Sequence, residues 1–145
     1  MGSKSDSALA DQAAAVLAEF NIPAEIHVIS AHRNPVKIKK FAAGARSNNI
    51  GCIIAIAGLA AHLPGVIASL TVLPVIGVPG DGGPLKGQDA LYSIVQMPSG
   101  IPVACVGIAN AKNAGLLAVQ ILAAGNEQLF DAMVNYRLKF NDDQA

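Results

Sequence analysis

Short apolar runs alternate along the chain with longer segments in which apolar residues recur at helical spacing. Four runs of strand length, bounded by Gly, Pro or polar residues, are found at 24–29, 51–57, 74–78 and 102–108. Helical spacing predicts a helix that ends at Phe20, and further helices at about 35–45, 63–70, 89–95, 112–123 and 127–140. Strands that alternate with helices in this way predict an α/β fold with a parallel sheet.

Capping residues mark the starts of three of these helices. Asn34-Pro35 is typical of an N-cap followed by the first helical residue. Either Ser5 or Asp6 is expected to cap the first helix, and Asp89 is expected to cap the helix at 89–95.

Charge is balanced over the whole chain but missing from its middle third. The formal net charge is zero and Trp is absent, so no nucleic-acid partner is expected. Residues 47–80 contain no Asp, Glu, Lys or Arg, yet Gly58, Pro64 and Pro74 interrupt the run, so no membrane-spanning segment is predicted. In one domain of 145 residues, such an apolar stretch is expected to be covered by other subunits of a homo-oligomer.

Both cysteines, Cys52 and Cys105, lie inside apolar runs and show no metal-ligand spacing. They are expected to be buried free thiols in a reducing compartment. The first residues do not combine a basic region with an apolar run as a signal peptide does, and we expect a cytoplasmic protein.

The candidate chemistry lies in three loops, 2–6, 30–34 and 58–63. The carboxyl ends of parallel strands face one crevice, where α/β folds bind ligands, so these loops are expected to meet there. Their polar side chains are Ser3, Ser5, Asp6, Ser30, His32, Arg33 and His62. Ser and Arg suit a phosphate, whereas a carboxylate suits a sugar diol or a helix cap. The set predicts a phosphorylated sugar or nucleotide beside one or two imidazoles.

The histidines differ in their surroundings. In the 30–34 loop, only His32 exchanges a proton near neutral pH. His62 either caps the helix that follows or takes part in the chemistry, and His27, inside a predicted strand, is expected to be structural. A Ser-His-Asp hydrolase is compatible with the residue types, but there is no Gly-x-Ser-x-Gly elbow. Dinucleotide and Walker fingerprints and metal-ligand spacings are also missing.

Five motifs occur in an order and spacing that resemble a known family. They are Gly2-Ser3-Lys4-Ser5-Asp6, Ser30-Ala31-His32-Arg33-x-Pro35, Ala60-Ala61-His62-Leu63-Pro64-Gly65, Gly77-Val78-Pro79 and Leu91-Tyr92-Ser93-Ile94-Val95-Gln96-Met97-Pro98. Over residues 1–124 the chain resembles the PurE family, the catalytic subunit of phosphoribosylaminoimidazole carboxylase. It is more similar to the bacterial branch, the N(5)-carboxyaminoimidazole ribonucleotide mutases.

The resemblance implies a three-layer α/β/α, flavodoxin-like fold and a homo-octamer with active sites between subunits. It implies a step of purine synthesis, without cofactor or metal, in which a carboxylate moves from the exocyclic amine to C4 of the imidazole. A hand-over of the labile substrate from the synthetase that makes it is a further expectation. The C-terminal helix, about 127–140, is expected to pack on a neighbouring subunit.

The resemblance also implies roles for individual residues. The resemblance implies that His32 transfers the proton and that His62 lines the carboxylate or carbon dioxide pocket. The substrate-binding positions implied are Ser3, Ser5, Asp6, Ser30, Arg33, Ala60 and Leu63. The chemistry agrees, because an imidazole with a pKa near the operating pH suits removal of the C4 proton, and a closed pocket would retain carbon dioxide.

Three departures from the family pattern stand out. Leu59 takes a place where the family more often has Gly, and the Gly/Pro-rich loop 80–88 is atypical. Family members also carry an apolar strand before the Met-Gly-Ser motif, and we expect about six to ten further residues there.

Two alternative functions stay open: an animal-type carboxylase that uses carbon dioxide directly, and a flavodoxin-like nucleotide- or flavin-binding module without activity.

Overall fold

Within the residues that the structure describes, the sheet has three parallel strands in the order β1-β2-β3. A computed structural model describes the backbone of residues 1–142 and the side chains of residues 1–140. The strands are β1 (Ile53–Ala57), β2 (Val75–Pro79) and β3 (Ala104–Cys105). Ile53 pairs with Val75 at one end of the ladder. The predicted parallel sheet is confirmed.

In the described part of the chain, six α-helices connect and cover the strands, and their positions agree closely with the helical spacing in the sequence. They are α1 (Ser7–Glu19), α2 (Pro35–Gly44), α3 (Leu63–Ala68), α4 (Gln88–Val95), α5 (Ala111–Ala123) and α6 (Glu127–Asp142). No helix of the described residues is long and apolar enough to cross a membrane.

The helices divide between the two faces of the sheet. Residues of α2, α3 and α4 form one apolar cluster with β1 and Val75. Residues of α1, α5 and α6 form a second cluster, which contains Ile56, Ile76 and Val78. Because β2 is covered on both sides, all five of its residues are buried. The three-layer α/β/α, flavodoxin-like fold is confirmed.

The strand predicted at 24–29 is wrong for this chain. The segment is extended, but its only backbone hydrogen bonds among the described residues join it to Met1. The Met1 amino group donates to the His27 carbonyl at 2.8 Å, and the Ile29 N–H donates to the Met1 carbonyl at 2.9 Å. A strand needs a partner along its length, and within the described residues only Met1 pairs with this segment.

β3 is also shorter than predicted, because only Ala104 and Cys105 are in register with β2. Beyond them, the Val106 N–H donates to the Gly77 carbonyl at 3.2 Å, and Ala109 then turns the chain with a φ of 55°.

Both cysteines, Cys52 and Cys105, are free, as predicted, but they are only partly buried.

The capping predictions have mixed outcomes. Asn34 is confirmed, since its side chain accepts a hydrogen bond from the Lys37 N–H at 3.2 Å. The prediction for Asp89 is wrong: Gly87, at a φ of 85°, is the N-cap, and Asp89 lies in the first turn of α4. The left-handed N-cap at Gly87 lies two residues before the predicted cap, Asp89.

Candidate functional site

Hydrogen bonds from Met1 and Gly2 bring the three predicted loops to one edge of the sheet. The Gly2 N–H donates to the Ile56 carbonyl at 3.1 Å, beside the end of β1. Since Met1 is also bonded to Ile29, the 2–6 and 30–34 loops leave the sheet on the same side as the 58–62 loop. The expected meeting of the loops at the carboxyl edge is therefore observed.

The first loop is a compact polar turn. Ser3 Oγ accepts a hydrogen bond from the Ser5 N–H at 3.3 Å, and Ser5 Oγ donates to Asp6 Oδ1 at 3.3 Å. Asp6 is the N-cap residue of α1, yet its side chain makes no capping hydrogen bond. Among the described residues, its carboxylate is thus bonded only to Ser5, and it can accept hydrogen bonds from a ligand.

The second loop is closed by Ser30. Its Oγ accepts from the Arg33 N–H at 3.2 Å, and its carbonyl accepts from the Asn34 N–H at 2.9 Å. The Arg33 side chain is exposed, and no ion pair to its guanidinium is formed within residues 1–140. A fork of N–H donors at the start of α2 suits a phosphate or a carboxylate.

The two loop histidines contact each other directly. His32 Nε2 lies 2.9 Å from His62 Nδ1, with the ring centroids 5.0 Å apart and the ring planes at 75°. His62 is the N-cap residue of α3, but its side chain makes no capping hydrogen bond and contacts His32 instead. A hydrogen bond between two imidazoles needs one N–H and one lone pair, so the contact holds a single transferable proton.

Ala60 and Leu63 are placed differently from each other. Ala60 is exposed, and its carbonyl accepts the His62 N–H at 2.9 Å, which shapes the turn that carries the imidazole. Leu63 is buried, and a Cβ on Gly2 would lie 3.8 Å from its Cδ2. Leu63 therefore supports the floor of the site and does not present its side chain to the crevice.

The 80–88 loop forms part of the rim, which the sequence analysis did not predict. The Gly80 N–H donates to the Ala57 carbonyl at 2.8 Å, and a Cβ on Gly80 would lie 3.1 Å from Gly58 Cα. Farther along, a Cβ on Gly83 would lie 2.5 Å from Leu59 Cδ2. The signal in the sequence was the cluster of Gly and Pro, which permits two loops to approach this closely.

His27 lies outside the site, as expected for a structural residue. Its Nε2 is 2.9 Å from Glu25 Oε2, and its ring is 5.1 Å from that of Phe41. Among the described residues, no group of three or more His, Cys, Asp or Glu side chains is arranged to hold a metal ion.

Comparison with known proteins agrees with this geometry. The family described as AIR carboxylase matches residues 1–143. N5-carboxyaminoimidazole ribonucleotide mutase of Synechocystis is 56% identical over 137 residues, which are 94% of this chain and 78% of that protein. The protein of the same name from Mycobacterium tuberculosis is 54% identical over 142 residues, covering 98% of this chain and 82% of the relative.

A solved structure shows the same fold. The crystal structure of Treponema denticola PurE superposes with a TM-score of 0.87 at 29% identity, covering 99% of this chain and 89% of that one. The family match and the curated relatives each extend over nearly all of the chain. The chain belongs to the AIR carboxylase (PurE) family.

Proposed function

We propose that this protein is an N(5)-carboxyaminoimidazole ribonucleotide mutase of purine biosynthesis. It moves a carboxylate from the exocyclic amine to C4 of the imidazole within one ribonucleotide. Two relatives with this name, more than half identical to the chain, support the proposal. The observation that carries it is the hydrogen bond between His32 and His62, next to loops that carry Arg33, Ser3 and Ser30.

The nucleotide is held by the two polar loops beside the histidines. Arg33 binds the phosphate through its guanidinium, and Ser3, Ser5 and Ser30 add hydroxyl donors. Asp6 accepts hydrogen bonds from the ribose hydroxyls, a role supported by the absence of a capping bond to its carboxylate in the described residues. Ala60 and the buried Leu63 shape the wall and floor below the base.

The reaction needs one proton removed and one supplied. When the N–C bond breaks, carbon dioxide leaves and the exocyclic nitrogen gains a proton. The electron-rich ring then attacks carbon dioxide through C4, and C4 must lose its proton to restore aromaticity. The two protons balance, so the reaction is an isomerisation.

His32 is the base that takes the C4 proton in this proposal. A hydrogen bond to His62 passes that proton along the pair or fixes the tautomer of the accepting ring. His62 also borders the pocket in which carbon dioxide is retained between the two steps. Both imidazoles are exposed in the single chain, so in this proposal the bound nucleotide and the neighbouring subunits must exclude water from that pocket to hinder loss of the gas.

Isotope transfer tests the proposal against the carboxylase alternative. The purified protein is given unlabelled N(5)-carboxyaminoimidazole ribonucleotide in buffer with ¹³C-bicarbonate, and in parallel aminoimidazole ribonucleotide in the same buffer. A mutase gives unlabelled 4-carboxy product from the first substrate and little product from the second. An animal-type carboxylase gives labelled product from the second substrate.

A binding module without activity predicts a different result. It gives no product from either substrate, and purified protein would carry a bound nucleotide or show flavin fluorescence. The polar loops suit both functions, because either one binds a phosphorylated ligand, but the histidine pair favours the enzyme, since a flavin needs no pair of imidazoles joined by a proton. Turnover without any added cofactor would exclude it.

We further propose that residues 1–145 form one domain of a cytoplasmic homo-octamer, with active sites between subunits. The exposed side chains of α6 support an interface: Phe130, Val134 and Leu138 are spaced four residues apart and are 58%, 44% and 52% exposed. Such a stripe is typical of a helix that packs on a neighbouring subunit. Direct transfer of substrate from the preceding synthetase is part of the same proposal.

A further inference from the structure

Positive charge is concentrated in one part of the chain, in and after the loop of His32. Residues 26–80 contain half of the ten Lys and Arg residues of the chain and none of its ten Asp and Glu residues. The basic residues in this range are Arg33, Lys37, Lys39, Lys40 and Arg46. A chain without formal net charge therefore carries a local surplus of positive charge beside the candidate site.

Three of these cations lie on the solvent side of α2. The buried side of the helix is formed by Ile38 and Ala42. Lys37, Lys39 and Lys40 are all exposed, and within residues 1–140 none of their ammonium groups forms an ion pair. Their charges are therefore not neutralised by a contacting carboxylate.

The surroundings of α2 do not cancel this surplus. Helices α2, α3 and α4 share one face of the sheet and together carry the three lysines and a single carboxylate, Asp89. In the 2–6 loop and in the 80–88 loop, one Lys accompanies one Asp, so neither loop adds net formal charge. On the other face of the sheet, α1 carries Asp11 and Glu19 and no basic residue.

The lysines are close enough to the site to act on a ligand that approaches it. α2 begins at Pro35, two residues after Arg33. At a rise of about 1.5 Å per residue, Lys37 and Lys40 lie about 3 and 8 Å along the axis from Pro35. Both distances are within the Debye length of about 10 Å at 0.1 M salt, whereas Arg46, about 15 Å or more along the same direction, lies beyond it.

The substrate of the proposed function is a small polyanion. Its phosphate monoester carries a charge of about −1.5 to −2 at neutral pH, and the carboxylate on the exocyclic amine adds one more negative charge. Attraction over this range raises the rate of productive encounter, and with it kcat/KM, without any contact in the bound complex.

We propose that α2 is an electrostatic capture surface, on which Lys37, Lys39 and Lys40 draw the anionic ribonucleotide toward Arg33 and the histidine pair. The inference rests on the proposed function, from which it takes the charge of the substrate. Lys is depleted from the cores of subunit interfaces, so this face of α2 stays in solvent when subunits assemble. The three lysines act before the nucleotide is bound and are not catalytic residues.

The test compares turnover of N(5)-carboxyaminoimidazole ribonucleotide by the full chain and three variants in 0.1 M and 0.5 M NaCl. Lys40→Gln removes one charge of the capture surface, and the double variant Lys39→Glu/Lys40→Glu reverses two. Arg46→Gln is the matched control, because it removes one exposed charge beyond the Debye length of the site. Gln and Glu are helix formers comparable to Lys, so the helix is kept.

In 0.1 M NaCl we expect kcat/KM to fall about 2-fold in Lys40→Gln and about 5–10-fold in the double variant, with kcat changed less than about 2-fold. Arg46→Gln should match wild type. In 0.5 M NaCl the Debye length is about 4 Å, so kcat/KM of wild type should fall and the differences between the proteins should largely vanish.

Three results overturn the inference while wild type remains an active mutase. One is a kcat/KM that neither Lys40→Gln nor the double variant lowers, and another is an equal loss in Arg46→Gln. The third is a loss that persists in 0.5 M NaCl or that appears in kcat, since either would indicate a local structural effect. If wild type gives no 4-carboxy product at either salt concentration, the proposed function itself is wrong and the inference falls with it.

Discussion

Leu59 occupies a left-handed backbone conformation, at a φ of 54°, and its Cδ2 lies 2.5 Å from the point where a Cβ on Gly83 would stand. The backbone of Leu59 is therefore strained, and its side chain occupies the space that a Cβ at position 83 in the facing loop would need. A left-handed conformation costs a non-glycine residue about 1–2 kcal/mol. Leu59 is 58% exposed, so little burial offsets that cost.

Leu59→Gly is therefore expected to be neutral or to stabilise the protein by up to about 1 kcal/mol, after the entropic cost of glycine. Gly83→Ala should destabilise, because its φ is 81° and its Cβ would meet Leu59. In the double variant Leu59 is absent, so the new Cβ at position 83 no longer clashes with it. The free energy of unfolding of the double variant should therefore exceed the additive expectation from the two single variants by about 0.5–3 kcal/mol. Urea denaturation of the four proteins measures this, and strict additivity would contradict the contact.

The pH dependence of stability should contain a contribution from Cys52. Burial raises the pKa of its thiol from 9.0 to about 11, against a smaller lowering by the Ile53 N–H. The unfolded thiol ionises first as pH rises, so this contribution is complete below pH 9 and is lost between pH 9 and about 11. Stability should fall over this range by about 1–2 kcal/mol more in wild type than in Cys52→Ala.

Urea denaturation at pH 8, 9.5 and 10.5 checks the effect of Cys52. Cys52→Ala shifts stability at every pH through packing, so only the change with pH is compared between the two proteins. Parallel curves for the two proteins would show that the thiol ionises equally in both states.

Substitution on α6 tests the proposed subunit interface. Phe130→Asp places a charge in the exposed stripe that also contains Val134 and Leu138, and it should yield a species of lower mass. Loss of one large apolar contact costs about 1.5–3 kcal/mol per interface. Gln128→Asp makes the same charge change at another exposed position of α6 and should leave the mass unchanged.

Light scattering coupled to gel filtration measures these masses. A wild-type protein that is monomeric and fully active, or a Phe130→Asp variant that assembles as wild type does, would contradict the interface.

The helices were predictable because their capping residues and apolar spacing lie within the helix itself. The extent of each strand depends on hydrogen bonds to a partner strand elsewhere in the chain. The start of α2 depends only on Asn34 and Pro35, which lie in its first turn, so the sequence predicts it correctly. The segment 24–29 has a strand-like composition, but within the described residues its backbone hydrogen bonds join it only to Met1, and composition does not specify pairing partners. The cap at Gly87 likewise depends on the path of the whole 80–88 loop.

The sequence predicted which loops form the candidate site, but it did not predict the contacts between their side chains. The order of strands and helices brings His32 and His62 to one edge, but their 2.9 Å contact depends on the turn that Ala60 shapes and on the floor at Leu63. Those are tertiary features, which residue spacing does not specify. The contact between Leu59 and Gly83 is of the same kind.

Two substitutions separate proton transfer from binding at the centre of the site. His32→Asn keeps some hydrogen bonding to His62 but cannot exchange a proton near neutral pH, so turnover should fall about 10²–10⁴-fold with the affinity for nucleotide largely kept. Arg33→Ala removes the charge-assisted phosphate contact and should weaken binding first.

The measurement that tests the account most directly is turnover of N(5)-carboxyaminoimidazole ribonucleotide by His32→Asn, with nucleotide binding measured by calorimetry on the same protein. The account predicts bound nucleotide and collapsed turnover. Normal turnover by His32→Asn would mean that the proton travels through His62 or solvent, and would contradict the assignment of His32 as the base.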